Sequence, residues 1–162
     1  MTESTVQPRS LLRHPVHFLS LGLGSGCMRT APGTWGTVAA LPLYGLFFWL
    51  PLPLYLAVVV ISFLVGVWLC QRTADALGVH DHPAIVWDEF VGLWIALALQ
   101  PTSLVWIAAA FVLFRFFDIL KPWPIGWLDK RVSGGLGIMV DDVLAGLYAL
   151  GILAMAQVWL AG

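Results

Sequence analysis

Residues 38–70 read VAALPLYGLFFWLPLPLYLAVVVISFLVGVWLC, and they lie within a run of 42 consecutive uncharged residues. A transmembrane helix needs about 20 apolar residues, so this run is long enough to cross a membrane twice. Pro51 and Pro53 remove backbone donors and restrict the residues that precede them, which favours a tight turn in the PLPL segment. The stretch therefore predicts a helical hairpin, with helices near 36–50 and 54–71.

The same pattern continues toward the C-terminus. Residues 90–114 form a second run of 25 uncharged residues, interrupted at 100–103 by QPTS, which is typical of a turn, and the last 20 residues carry no charge. We therefore expect helices near 86–99 and 103–120, and a final helix from near residue 138. The predicted fold is an all-α integral membrane protein, a bundle of about five short transmembrane helices.

Composition supports lipid as the solvent of this chain. Its residues are 60% hydrophobic and 10% charged, whereas an ordinary soluble domain has about 45–50% apolar and about 25% charged residues. The net charge of -1 and the lack of a basic cluster argue against nucleic acid as a partner. Two cysteines, Cys27 and Cys70, are too few for a disulfide scaffold and are expected to be reduced packing residues.

The N-terminus is predicted to differ from the rest of the chain. Residues 1–14 form a polar tail without the apolar core of a signal peptide. The next segment is expected to be re-entrant or interfacial, with His14 and His17 at the membrane surface. Residues 15–162 then make up a single membrane-embedded domain.

Counting crossings places the two uncharged turns on one side of the membrane and the charged residues on the other. The segments 72–89 and 115–142 hold 13 of the 17 charged residues. Because lysine and arginine mark the cytoplasmic side, this face should lie inside the cell. An alternative count treats 36–71 as one bent element, but it would place Lys121 and its basic neighbours outside, against that bias.

Five acids are expected at one depth, near the cytoplasmic ends of three helices. An acid within a membrane is costly unless it is paired or bound, and neighbouring carboxylates repel one another. Bound Mg²⁺ would relieve both costs, since it accepts carboxylate oxygens and substrate phosphate. The alternative is that each acid caps a helix or forms a local ion pair, but such roles do not require the acids to converge. The candidate catalytic and metal-binding residues are Asp88, Glu89, Asp118, Asp141 and Asp142.

The PGTWGT motif at 32–37 is a candidate phosphate-binding segment. Gly33 lets the backbone approach an anion, Thr34 and Thr37 supply hydroxyl donors, and the following helix offers free N–H groups at its N-terminus. The alternative is a simple turn in which Thr34 or Thr37 caps the helix.

The FRFFDILKPWPI motif places Asp118 between two basic residues. Arg115 suits the forked binding of phosphate oxygens, and Lys121 supplies a compact positive charge. Both are therefore candidate substrate-binding residues. The alternative is a local pair between Arg115 and Asp118, with Lys121 extending to the membrane surface.

VHDH at 79–82 is a weaker candidate. Two histidines one residue apart, His80 and His82, can bind a transition metal or relay protons. A solvated polar loop is the alternative, and the sequence does not assign these histidines a role.

Six motifs in order resemble those of the bacterial phosphatidylglycerophosphatase A family, over about residues 15–155. They are GSG, PGTWGT, GVHDH, VWDEFVG, FRFFDILKPWPI and GGLGIMVDDVLAG. The resemblance implies a Mg²⁺-dependent phosphatase of the bacterial inner membrane, acting on a phospholipid substrate. It would remove the phosphomonoester of phosphatidylglycerophosphate and leave phosphatidylglycerol and inorganic phosphate. The five acids match these motifs and are implied to be functional.

The chain lacks two familiar phosphatase nucleophiles. It has no DxDxT or DxDxV motif, and neither cysteine is followed by arginine six positions later. This favours attack by metal-activated water, although a route through an aspartyl phosphate stays open.

Two other classes of function are compatible with buried acids. A cation-coupled transporter would place them near the bilayer midplane, with polar groups leading to both faces. Here the outer half of each predicted helix is apolar. A non-catalytic lipid-binding protein is the other class, and phosphate release from a lipid phosphomonoester would separate it from an enzyme. The sequence does not indicate the oligomeric state.

Overall fold

The computed structural model describes residues 6–99 and 101–161, and within these ranges it contains helices and no strands. The all-α prediction is therefore confirmed. The longer helices are α3 (Pro32–Phe47), α4 (Leu52–Leu77), α5 (Trp87–Ala96), α6 (Leu104–Leu120) and α8 (Gly134–Ala161). The shorter ones are α1 (Pro8–Leu11), α2 (Pro15–Ser20) and α7 (Ile125–Asp129), together with a 3₁₀ segment at Gly22–Cys27.

Three helix ends differ from the predicted ones by four residues or more. Helix α3 begins at Pro32, earlier than predicted, because proline at the first helical position loses no hydrogen bond. PGTWGT therefore forms its first turns. Helix α4 continues to Leu77, past the first charged residues, and ends at Gly78 in the left-handed conformation with a φ of 68°. Helix α8 begins at Gly134, also earlier than predicted.

The connecting segments agree with the predicted turns in outline. Pro51 precedes α4 directly, as the PLPL turn requires. Gln100 of QPTS lies outside the described residues, and 101–103 lead into α6 without helical structure. Two segments predicted as irregular contain short helices: α1 lies within the predicted N-terminal tail, and α7 lies in the 121–137 loop.

Helix α5 is the centre of the bundle and packs against α3, α4, α6 and α8. Phe90, Leu93 and Trp94 of this helix are buried. Its closest approach to α8 is at two glycines: a Cβ on Gly146 would lie 2.4 Å from the carbonyl oxygen of Gly92. The two backbones touch there, which brings the start of α5 beside the acids of α8.

Large apolar side chains cover the outside of the bundle. On α8, for example, Met155 is 67% exposed and Trp159 is 81% exposed. By length and composition, α4 and α8 can each cross a membrane. Helices α3, α5 and α6 have 16, 10 and 17 residues, which at about 1.5 Å per residue is less than the roughly 30 Å hydrocarbon core. The two long helices support association of the chain with a membrane.

The N-terminal segment packs against the charged end of α4. His17 Nδ1 lies 2.8 Å from Thr73 Oγ1, and the rings of His14 and His17 are 5.1 Å apart. Both cysteines are free, and Cys70 is buried with its sulfur 3.8 Å from that of Met139. This agrees with their predicted packing role.

Candidate active site

The structure brings the five predicted acids together from three helices. Two lie in the first turn of α5, one near the end of α6 and two in the second and third turns of α8. The carboxylate of Asp142 interacts electrostatically with all four of the others. The acids are Asp88, Glu89, Asp118, Asp141 and Asp142.

Glu89 joins α3, α5 and α6 through hydrogen bonds. Its Oε2 accepts a hydrogen bond from Thr37 Oγ1 at 2.8 Å and another from the guanidinium of Arg115. The same guanidinium lies 2.6 Å from Asp118 Oδ2. Glu89 is 7% exposed, so this carboxylate is screened little by solvent. Arg115 thus pairs with two acids.

The first turn of α3 lies against this ion pair. A Cβ on Gly33 would lie 2.1 Å from Glu89 Oε1 and 3.1 Å from an Arg115 nitrogen, so a larger residue here would displace the Glu89 carboxylate and the Arg115 guanidinium. Thr34 is the next residue of this turn and is half-buried. No side chain caps α3, since its N-cap is Ala31, and the alternative of a threonine cap is wrong. The helix N-terminus keeps its free N–H groups.

Lys121 ends α6 in the left-handed conformation, with a φ of 44°. Its Nζ donates to Asp129 Oδ1 at 2.8 Å and to Asp141 Oδ2 at 2.6 Å. Partial burial alone would lower the pKa of Lys121, but the hydrogen bonds to Asp129 and Asp141 outweigh it, so the pKa is raised above its ordinary value. Lys121 therefore stays charged and binds acids of two other helices.

Asp129 is a member of this cluster that sequence reasoning missed. It lies at the end of α7, in a loop that the sequence predicts as irregular. The adjoining Lys130 and Arg131 make it look like one of several solvated charges. Only the folding of α7 onto α8 shows its contact with Lys121.

Asp88 and Asp142 differ from the other acids. Asp88 Oδ1 and Asp142 Oδ2 are buried without a hydrogen-bond partner among the described residues. Asp142 is 2% exposed. Leaving a buried oxygen unpaired is costly, and a bound cation would remove that cost. The two oxygens are therefore the best candidates for metal ligands.

The predicted five-acid metal set is only partly suited to that role in this arrangement. In the part of the chain that the structure describes, no three His, Cys, Asp or Glu side chains form a group that could hold a metal ion. Three of the acids pair with cations instead: Glu89 and Asp118 with Arg115, and Asp141 with Lys121. Carboxylate oxygens are nonetheless the donors that Mg²⁺ prefers, so the chemistry of the set fits.

The histidines of VHDH contact separate backbone groups. His80 Nε2 accepts the N–H of Gly134 at 2.6 Å, and His82 Nδ1 accepts the N–H of Ala84 at 3.1 Å. Gln71 Oε1 accepts the N–H of the following residue, Gly135, at 2.7 Å. His80 and Gln71 thus hold the start of α8, which carries two of the acids, a role that the sequence did not indicate.

Comparison with known proteins agrees with these motifs. The family model for phosphatidylglycerophosphatase A matches residues 18–157. The chain is 48% identical to a phosphatidylglycerophosphatase A of Escherichia coli K12, covering 93% of this chain and 88% of that protein. It is also 48% identical to the Haemophilus influenzae protein of the same name, covering 99% of each. A Bacteroides thetaiotaomicron protein named putative phosphatidylinositol-3-phosphatase is 38% identical, covering 89% of this chain and 94% of that protein.

No solved structure matches the chain. The family model and the two 48% identical relatives each span most of its length, including the helices that carry the acids and their cationic partners. The chain belongs to the phosphatidylglycerophosphatase A family.

Proposed function

We propose that this protein hydrolyses the phosphomonoester of phosphatidylglycerophosphate, giving phosphatidylglycerol and inorganic phosphate. The observation that carries the proposal is the pairing of buried carboxylates with Arg115 and Lys121 at one end of the bundle. Such a site offers both metal ligands and phosphate ligands. The names of the 48% identical relatives agree with this substrate.

We propose Mg²⁺ as the cofactor, with Asp88 and Asp142 as its main ligands because each has a buried oxygen without a partner. Glu89, Asp118 and Asp141 would complete the acidic set. When bound, the ion supplies positive charge for the phosphate oxygens and favours ionisation of a nearby water. Attraction to the ion would also lower the mutual repulsion of the acids.

Arg115 and Lys121 are the proposed phosphate ligands. Each is held by two acids in the structure, so the substrate phosphate would replace carboxylate oxygens with its own. Arg115 Nε is buried without a hydrogen-bond partner among the described residues and is therefore free to donate. The N–H groups of Gly33 and Thr34 at the start of α3 would add donors, because a helix N-terminus favours anions.

The protein's part in the reaction is positioning and charge. Phosphoryl transfer passes through a loose transition state, so cations around the equatorial oxygens and an in-line nucleophile supply most of the catalysis. An acid of the cluster would take the proton of an attacking water. Chemical trapping of an acyl phosphate tests the other route, in which a carboxylate of the cluster attacks the phosphorus.

We propose that α3, α4, α5, α6 and α8 together form the membrane-embedded bundle, with the charged loops on the cytoplasmic face of the inner membrane. The two long apolar helices and the exposed apolar side chains support this arrangement. A site on that face can receive a lipid headgroup while the acyl chains stay in the bilayer.

Phosphate release from phosphatidylglycerophosphate in mixed micelles tests the function directly. We expect release with Mg²⁺ and loss of it with EDTA, restored by added Mg²⁺. Phosphatidylinositol 3-phosphate is the comparison substrate, since a 38% identical relative is named for it. Binding of lipid without phosphate release would instead support a non-catalytic lipid-binding protein.

A further inference from the structure

An apolar groove runs between α3 and α6 at the end of the bundle far from the acids. Its volume is about 400 Å³. The one phenol in its wall, Tyr44, donates its hydroxyl to the carbonyl oxygen of Pro101 at 3.2 Å, so the ring rather than the hydroxyl is available to the groove. Residues that line it include Leu41, Tyr44 and Gly45 of α3, Phe48 directly after α3, and Leu104 and Ile107 of α6.

The groove is in register with the proposed phosphate ligands on both helices. Eleven residues make just over three helical turns, so residues eleven apart lie on the same helix face. Gly45 is eleven residues after Thr34 on α3, and Leu104 is eleven residues before Arg115 on α6. Each groove residue therefore lies about 16 Å along the helix from a proposed phosphate ligand.

We propose that this groove holds an acyl chain of the lipid whose phosphate binds at Arg115, an inference that rests on the proposed function. The groove is also lined by Pro101 and Thr102 of the turn before α6, so the acyl chain would extend along about 16 Å of helix from the site toward the opposite end of the bundle. Leu104 is 78% exposed, so the groove opens sideways to the surroundings of the bundle. An apolar wall in line with a phosphate site fits a fatty acyl chain.

A second apolar groove provides a matched control. It has a volume of about 420 Å³ and is lined by residues that include Leu56, Leu99, Leu147 and Gly151. Gly151 lies nine residues after Asp142, which is two and a half turns, so it is on the opposite face of α8 from that acid. This groove is similar in size and character, but its α8 wall at Gly151 is out of line with Asp142.

The two grooves can be filled by the same substitution. A Cβ at Gly45 or at Gly151 would meet nothing within 4 Å, so a side chain can begin at either position without a clash, and leucine extends it into the groove. The measurement is kcat/KM for dipalmitoyl phosphatidylglycerophosphate divided by kcat/KM for its deacylated headgroup. Because Gly45→Leu blocks the proposed acyl site, we expect this ratio to fall roughly tenfold. Gly151→Leu should leave it within about twofold, since that groove is not used.

The outcomes separate the two proposals. Equal ratios for Gly45→Leu, Gly151→Leu and the wild type would overturn the acyl groove, whereas absence of phosphate release by the wild type would overturn the proposed function. A change of oligomeric state with Gly45→Leu would overturn the acyl groove in favour of a second copy of the chain. If Gly45→Leu does not fold, Gly45→Ala narrows the groove by one methyl group, and an unchanged ratio with it would also overturn the inference.

Discussion

Asp88 and Asp142 each have a buried carboxylate oxygen without a hydrogen-bond partner among the described residues. Substitution of either acid should therefore affect activity and stability in different ways. We expect Asp88→Asn and Asp142→Asn to lower kcat on the order of 100-fold, because an amide is a poor ligand for Mg²⁺. Neither change removes an ion pair, so thermal unfolding should occur at or above the wild-type temperature. Phosphate release and unfolding in detergent measure the two effects.

Asp141→Asn serves as the comparison, since it also removes the bond to Lys121 and should lower stability as well. Asp75→Asn, at an exposed position of α4, is the control and should retain activity. Wild-type turnover by both Asp88→Asn and Asp142→Asn would refute the carboxylate site.

The role of Lys121 in substrate binding can be tested by measuring KM and kcat separately. We expect Lys121→Ala to raise KM for the lipid phosphate and to lower kcat about tenfold or more, because its contact strengthens as charge develops in the transition state. Lys130→Ala, an exposed lysine nearby, should change neither. If KM and kcat of Lys121→Ala equal those of the wild type, Lys121 does not bind substrate, and its hydrogen bonds to Asp129 and Asp141 have only a structural role.

At the residue level, the sequence predicts which side chains converge but not which pairs they form. The acids and Arg115 could be predicted because charges are rare here and fall at helix ends. The hydrogen bond between Thr37 and Glu89 could not be predicted from the sequence. It joins two residues that are 52 positions apart, and it depends on the packing of α3 on α5. Asp129 was missed because it lies at the end of α7, in a segment that the sequence predicts as irregular, although it is only eight positions from Lys121.

At the scale of the element, α8 is held at its start by two acceptors from outside the helix. Gln71 Oε1 and His80 Nε2 accept the N–H groups of Gly135 and Gly134. We expect Gln71→Met to lower the free energy of unfolding by about 1 kcal/mol, as the loss of a helix cap does. In an Asp75→Asn background, which removes the carboxylate that lies 2.8 Å from Gln71 Nε2, Gln71→Glu keeps an acceptor and should be less destabilised than Gln71→Met. Equal destabilisation by both would show that this hydrogen bond is unimportant, and denaturation in detergent measures the difference.

The uncharged runs predict where the longer helices lie, but they do not predict where each helix begins and ends. The first charged residues of α4 suggested that it stops near 71, but Arg72 and Asp75 lie on a helix that continues until Gly78. Likewise, the glycines before residue 138 suggested a loop. The structure instead places them in α8. A Cβ on Gly135 would lie 1.9 Å from the carbonyl oxygen of Val67, so glycine is needed there for α8 to begin against the backbone of α4.

At the scale of the whole molecule, the arrangement across the membrane can be tested by labelling. A cysteine at Leu52 or Thr102 should react with a membrane-impermeant reagent in intact cells, because the uncharged turns are predicted to lie outside. A cysteine at Ala76 or Ser133 should react only after permeabilisation. These single-cysteine variants require a protein in which both native cysteines, Cys27 and Cys70, are replaced. Alanine is chosen at Cys70 because that thiol is buried. Labelling of Ser133 from outside would contradict the cytoplasmic site.

The close contact of α5 with α8 also bears on the order in which the molecule is made. Synthesis produces α5 and α6 first, with Glu89 and Asp118 already beside Arg115, but the face of α5 around Gly92 has no cover until α8 follows. Asp141 and Asp142 arrive with that last helix. The site is therefore completed only after α8 has been synthesised, because a chain that stops before α8 holds three of the five acids.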